Sequence, residues 1–131
     1  MITDRLDPTG LATLPGAVNL TIATGTRIVH ISGQTGVDAD GKVVGATHGE
    51  QSKRALENLR IAIEAAGATP ADIAKLTIYV VDYNEAALEA LVGAAIEVFG
   101  DDYPITASTL VGVATLWQPD LLIEIDAVAI V

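Results

Sequence analysis

Cysteine is absent from this chain of 131 residues. That absence excludes a disulfide framework, a thiolate nucleophile and a cysteine-ligated metal centre. Aromatic residues make up only 4% of the chain, and no uncharged run is apolar enough to cross a membrane as a helix. The first residues also lack the apolar stretch of a secretory signal. The composition therefore predicts one soluble, cytoplasmic domain over residues 1–131, with no membrane partner.

Positively charged residues are also few. The chain has 7 Lys and Arg against 17 Asp and Glu, for a net charge of −10. Lys75 is the last cation, although nine acidic residues follow it. Because nucleic acids are bound mainly by neutralising phosphates with Lys and Arg, no nucleic-acid partner is expected. A cation that pairs with a C-terminal carboxylate must come from the first 75 residues or from another subunit.

Two of these carboxylates interrupt an apolar strand predicted near the C-terminus, over residues 122–130. Because side chains alternate along a strand, Ile123 and Ile125 line one side, and Glu124 and Asp126 line the other. A lone charge among hydrocarbon groups is strongly unfavourable. We therefore expect both carboxylates to be paired, hydrogen-bonded or placed in a wet cavity.

The remaining pattern is typical of an α+β domain. Residues 1–16 are predicted to be irregular, and residues 18–23 and 27–32 to form a β-hairpin. A capping box of Thr47 and Glu50 predicts a helix that ends at Gly67. Asn84 is predicted to cap a second helix over residues 85–99, with strands at 75–83 and 108–116.

This order of elements predicts two helices on one face of a mixed sheet. The other face of the sheet then has no cover within the chain. Half of the residues are hydrophobic, and the mean hydropathy is +0.45, which is high for a small soluble monomer. Both features favour burial of part of the surface between subunits.

Six segments in a fixed order and spacing resemble one family. They read Ile-Ser-Gly-Gln at 31–34, Val-Asp-Ala-Asp-Gly at 37–41, a first helix from Gln to Asn-Leu at 51–59, Glu-Ala-Ala-Gly at 64–67, Asp-Ile-Ala-Lys-Leu-Thr leading to Val-Val-Asp at 72–82, and Ile-Glu-Ile-Asp-Ala-Val-Ala at 123–129. No single segment is unusual, but the set is specific. The chain resembles the Rid family of reactive intermediate/imine deaminases, also called the YjgF family.

The resemblance implies a chorismate-mutase-like, YjgF-like fold and a homotrimer. In the family, three sheets surround a central barrel, and a small-molecule ligand binds in clefts between neighbouring subunits. Active members hydrolyse enamines and imines to a keto compound and ammonia. They need no cofactor and no metal.

The resemblance also assigns candidate site residues. The family's water-positioning glutamate falls on Glu124. The Ser-Gly-Gln segment that lines the family's cleft falls on Ser32, Gly33 and Gln34. The family's arginine, which follows a proline before the penultimate strand, falls on Ala107 or Ser108 and is therefore missing. The substrate-binding residues expected there are Ala107, Ser108 and Thr109. The family's pocket tyrosine and asparagine fall near Asn19 and Ala90, where neither matches.

Two interpretations remain open. In the first, the trimer hydrolyses an enamine or imine, with Glu124 as the catalytic carboxylate. In the second, the trimer has lost both the arginine and the reaction, and its cleft binds a metabolite for regulation or scavenging. Glu124 itself either orients water in a pocket or is a structural carboxylate. An arginine of another subunit, Arg27 or Arg54, is the candidate to replace the missing guanidinium.

Overall fold

The chain folds into six strands and two α-helices. The structure is a computed structural model that describes residues 1–131. The strands are β1 (Ile2–Leu6), β2 (Leu20–Ala23), β3 (Ile28–Thr35), β4 (Ile73–Val81), β5 (Ala107–Val113) and β6 (Ile123–Ile130), and the helices are α1 (His48–Ala65) and α2 (Glu85–Phe99). Short 3-10 turns at Pro70–Asp72 and Gly100–Asp102 precede β4 and follow α2.

Four strands form a mixed sheet in the order β3-β6-β4-β5. Strand β6 is antiparallel to both neighbours, whereas β4 and β5 are parallel. Parallel neighbours need a crossover connection, and α2 supplies it. Both helices pack on this mixed sheet, as the order of elements predicted, and none of the helices is long and apolar enough to cross a membrane.

The core lies between the sheet and the helices. Helix α1 contributes Leu59 and Ile63, which are fully buried, and β6 contributes Ile123 and Ile125. Along β6, buried residues alternate with half-buried ones from Ile123 to Ile130. This alternation confirms that Glu124 and Asp126 lie on the sheet face that carries no helix.

The predicted helix ends agree with the structure in most details. The Thr47 hydroxyl accepts the N–H of Glu50 at 3.2 Å, and the Asn84 side chain accepts the N–H of Ala87 at 2.9 Å. The carboxylate of Glu50 accepts the N–H of Ala46 at 3.0 Å, one residue before the predicted donor. Gly67 has a positive φ of 72°, which suits the end of α1.

Two predictions for the N-terminal third are wrong. Residues 2–6 form β1 instead of an irregular segment, and β2 pairs with β1 instead of forming a hairpin with β3. Strand β3 pairs with the C-terminal strand β6. The connection between β2 and β3 is held by that same end of the chain, because the N–H groups of Thr26 and Arg27 both donate to the carbonyl of Val131.

Candidate functional site

An irregularity in β3 shapes the surroundings of Glu124. The register between β3 and β6 shifts between Ile31 and Gln34, and pairing resumes with Gln34 opposite Ile125 and Thr35 opposite Glu124. A β-bulge of this kind bends the strand and redirects its side chains. The Gln34 amide donates to the carbonyl of Ser32 at 3.0 Å, which closes the bulge locally.

Gly33 lies directly against the side chain of Glu124. A Cβ added at Gly33 would lie 2.6 Å from the carboxyl carbon of Glu124. Only glycine therefore allows this carboxyl group to rest on the backbone of the bulge. The structure thus brings the predicted segment at Ser32, Gly33 and Gln34 next to the predicted glutamate.

Glu124 shares its sheet face with a second carboxylate and a tyrosine. Tyr79 lies opposite Glu124 in the register of β4 and β6, and its hydroxyl donates to Asp126 Oδ2 at 3.1 Å. Removal from water raises the pKa of Glu124, and the charge of Asp126 raises it further. The hydrogen bond to Asp126 and the charge of that carboxylate raise the pKa of Tyr79.

The sequence interpretation missed Tyr79. The signal that would have found it is the alternation along β4, where Leu76 and Ile78 are buried and Lys75, Thr77 and Tyr79 are half-buried. That alternation assigns Tyr79 to the face of Glu124.

The second predicted group of site residues lies elsewhere on the sheet. In the parallel register of β4 and β5, Ala107 and Thr109 pair with Lys75 and Thr77. They share the face of Glu124 but stand two strands away, about 10 Å across the sheet. They are also displaced along it, because Thr109 is level with Asp126 and Ala107 with Val128. Ser108 occupies the opposite parity, and its hydroxyl donates to the carbonyl of Thr106 at 3.2 Å. A single chain therefore does not bring these three residues to Glu124.

The Lys and Arg side chains with assigned partners bond to groups other than Glu124. Arg54 donates to the carbonyl of Val37 at 3.1 Å. The two ion pairs of the structure join Lys53 to Glu97 and Arg54 to Glu57, so neither Glu124 nor Asp126 has a cationic partner within the chain. The Lys75 ammonium lies on the same face but donates to the Thr109 hydroxyl at 2.6 Å.

Two surface cavities lie away from Glu124. One, of about 600 Å³, lies between Arg5 and Tyr103, and the other, of about 480 Å³, lies between Gly45 and Asp120. No group of three or more His, Asp or Glu side chains is placed to hold a metal ion. Within one chain, Glu124 therefore lies on an open sheet face and not in either of these cavities.

Comparison with known proteins identifies the family. Residues 17–131 match the family Endoribonuclease L-PSP. The chain is 37% identical over 105 residues to the 2-iminobutanoate/2-iminopropanoate deaminase of Salmonella typhimurium, covering 79% of each protein. The chain belongs to the Rid/YjgF/RutC family. It is also 36% identical over 104 residues to a RutC family protein of Pyrococcus abyssi, covering 79% of this chain and 78% of that protein.

Solved Rid structures share the same backbone. The Rid family protein YyfB of Yersinia pestis superposes with a TM-score of 0.88 at 32% identity, covering 98% of both chains. The YjgF gene product of Escherichia coli superposes with a TM-score of 0.68 at 27% identity, covering 91% of both. The mixed sheet with two helices is therefore the Rid fold.

Proposed function

We propose that this Rid protein hydrolyses the C=N bond of a small imine or enamine to a carbonyl compound and ammonia. The observation that carries the proposal is the half-buried Glu124 carboxyl, which rests on Gly33 and has a raised pKa. A raised pKa suits a general base near neutral pH. Support also comes from relatives in Salmonella typhimurium and Escherichia coli that are named 2-iminobutanoate/2-iminopropanoate deaminases.

In this mechanism, Glu124 acts first as a general base and then as a general acid. Its carboxylate accepts a proton from a water molecule as the water oxygen attacks the carbon of C=N. The same carboxyl group then returns the proton to nitrogen, which gives a carbinolamine. Glu124 next carries the hydroxyl proton of this intermediate to nitrogen, so that the C–N bond breaks and ammonia leaves as the carbonyl forms. The backbone of the bulge at Ser32 and Gly33 forms the floor beside the reacting atoms.

The proposal includes a homotrimer with sites between subunits. The sheet face that carries Glu124 has no helix over it, and at its edge Ile28 is 65% exposed. Half-buried Val128 and Ile130 continue this face along β6. Neighbouring subunits would cover these apolar groups and supply the walls that a single sheet does not provide.

A second candidate is a non-catalytic trimer that binds a metabolite. It is favoured by Ala107 and Ser108, the two positions where the family resemblance places the arginine. Each hydrogen bond between a guanidinium and a substrate carboxylate is worth about 1.5–3 kcal/mol. A chain without that guanidinium binds small imino acids weakly and is suited to a different ligand.

One assay separates the two candidates. Short-lived imines are generated from several amino acids with an amino-acid oxidase, and the disappearance of the free imine is followed with and without the protein. Catalysis predicts an acceleration that Glu124→Ala abolishes and that Glu89→Ala, at an exposed carboxylate of α2, leaves intact. No acceleration on any imine, with stoichiometric ligand binding, contradicts the enzyme and supports the binder.

A companion variant tests the placement of the missing arginine. Ala107→Arg and Ser108→Arg restore a guanidinium at the two candidate positions. A gain of hydrolysis of 2-imino acids by either variant would support the proposed cleft. Equal rates for both variants and the parent chain would contradict it.

A further inference from the structure

Within one chain, the face around Glu124 carries two carboxylates and no cation paired with either of them. Glu124 and Asp126 stand two residues apart on β6, so both side chains project from the same side. Neither carboxylate has a cationic partner, because the ion pairs of the chain lie elsewhere. The nearest basic side chains along the register are Lys75, which donates to Thr109, and His30, and both lie level with Val128.

Asp126 is held in position by Tyr79. The Tyr79 hydroxyl donates to Asp126 Oδ2 at 3.1 Å, and this hydrogen bond restrains the carboxyl group. The ring of Tyr79 starts opposite Glu124 and reaches diagonally to Asp126. The tyrosine thus fixes one carboxylate beside the other without neutralising it.

We infer that this site takes a protonated imine that has no carboxylate beside its C=N carbon, and that Asp126, positioned by Tyr79, supplies a second negative charge that binds it. The inference rests on the proposed function and specifies its substrate class. The carboxylate of a 2-imino acid would bring a third negative charge to this face, where like charges repel. An iminium ion without that carboxylate is attracted to both acidic groups.

The reaction of such a cation balances with water alone. The water oxygen bonds to the iminium carbon, the C=N π pair moves to nitrogen, and Glu124 takes the water proton, which gives a neutral carbinolamine. Glu124 then protonates the nitrogen, the C–N bond breaks, and the hydroxyl proton passes to the carboxylate as the carbonyl forms. Glu124 gives this last proton to the departing ammonia and returns to its ionised form. The sum is an iminium ion and water giving a carbonyl compound and ammonium.

A stable cation tests the charge preference without turnover. Acetamidinium is a planar cation of the shape of a small iminium ion, and acetate has a similar shape with the opposite charge. We expect acetamidinium to shift the NMR signals of Gly33 and Glu124, and acetate to leave them unchanged. Asp126→Asn should weaken acetamidinium binding about tenfold, from the loss of one nearby charge.

Three further variants control this measurement. Asp126→Glu keeps the charge and should retain binding, which separates loss of charge from loss of folding. Tyr79→Phe should weaken binding less than Asp126→Asn, because the carboxylate remains but loses its fixed position. Glu89→Gln removes an exposed charge of α2 and should have no effect. Tighter binding of acetate than of acetamidinium would overturn the inference.

The rates of hydrolysis of two imines distinguish failure of the inference from failure of the proposed function. One imine is generated from a primary amine with a flavin amine oxidase and has no carboxylate, and the other is generated from alanine with an amino-acid oxidase. We expect at least a tenfold greater acceleration of the first. Preference for the second, dependent on Glu124, would overturn the inference and leave the proposed function intact. Hydrolysis of neither, with acetamidinium binding that depends on Asp126, would support the charge preference and contradict the enzyme.

Discussion

At the scale of single residues, the contact between Gly33 and Glu124 is the most specific feature of the chain. Gly33 lies in the bulge of β3, and because glycine has no side chain, the Glu124 carboxyl group can lie there. The sequence alone predicted which side of β6 carries Glu124 and Asp126, because strand parity follows from alternation. It did not reveal the contact, since a bulge leaves no periodic signal.

Gly33→Ala is expected to disturb the site more than the fold. The added methyl group meets the far end of the Glu124 side chain, which can turn away. We expect a change in the free energy of unfolding of less than about 1 kcal/mol, together with a large loss of Glu124-dependent hydrolysis. Chemical denaturation and the imine assay measure the two effects.

Gly36→Ala is the matched control. A Cβ at Gly36 would lie 2.9 Å from the Cα of Gln51, which is backbone and cannot turn away. Overpacking of this kind destabilises by about 1–3 kcal/mol. Equal stability losses for the two glycine variants would show that Gly33 has no special relation to Glu124.

The raised pKa of Glu124 predicts a pH dependence of stability. A group whose pKa is higher in the folded state stabilises the fold fully below its ordinary pKa and loses that contribution as pH rises through the raised value. The charged or titratable groups beside it are Asp126 on β6 and Tyr79 on β4. Glu124→Gln should therefore gain stability relative to the parent chain between acidic and neutral pH, as measured by urea denaturation at several pH values. A constant difference would contradict the assigned shift.

At the scale of elements, local sequence signals predicted the helices correctly. The pairing of the N-terminal strands was predicted wrongly, because it depends on residues far apart in the sequence. Asn84 and Gly100 mark the ends of α2 by their own chemistry, and the predicted bounds agree with Glu85–Phe99. The hairpin prediction was wrong because β3 finds its partner almost one hundred residues away, in β6. Hydrophobic alternation shows that a segment is a strand but not which strand it joins.

A buried amide joins α1 to the start of β6. Gln51 has no exposed surface, its amide donates to the carbonyl of Asp120 at 2.8 Å, and its oxygen accepts the N–H of Leu122 at 2.7 Å. Gln51→Leu would leave both backbone groups without partners, at about 1–3 kcal/mol each. We expect a loss of about 2–4 kcal/mol in the free energy of unfolding, measured by chemical denaturation.

The neighbouring Ser52 provides the control. Its hydroxyl is also buried but has no hydrogen-bond partner, so Ser52→Ala removes an unsatisfied group. That variant should be within about 0.5 kcal/mol of the parent chain or more stable. If Gln51→Leu were as mild as Ser52→Ala, the amide would not be what holds the β5–β6 connection to the helix.

At the scale of the whole molecule, the account depends on covering the open face of the sheet. Ile28 on that face is 65% exposed, and Ile61 on the outer side of α1 is 58% exposed. Ile28→Asp should therefore break the proposed trimer into monomers and abolish hydrolysis, whereas Ile61→Asp should change neither. Sedimentation analysis of both variants checks this. A trimer that survives Ile28→Asp and depends on Ile61 would place the interface on the helices instead.

The family resemblance predicted the overall fold in more detail than the composition did. Excess hydrophobicity predicted that a face is covered, but the Rid fold was recognised from six ordered segments and agrees with YyfB over 98% of both chains. The position of the site residues in an assembly is not contained in one chain, since Ala107 and Thr109 lie two strands from Glu124. Their predicted role therefore remains a prediction.

The pH–rate profile of imine hydrolysis tests the central role of Glu124 most directly. The parent chain should show a rate that rises with pH through a pKa above the ordinary glutamate value, because the ionised carboxylate is the base. Glu124→Gln should remove both that limb and the acceleration. An unchanged rate and an unchanged limb in Glu124→Gln would contradict the account.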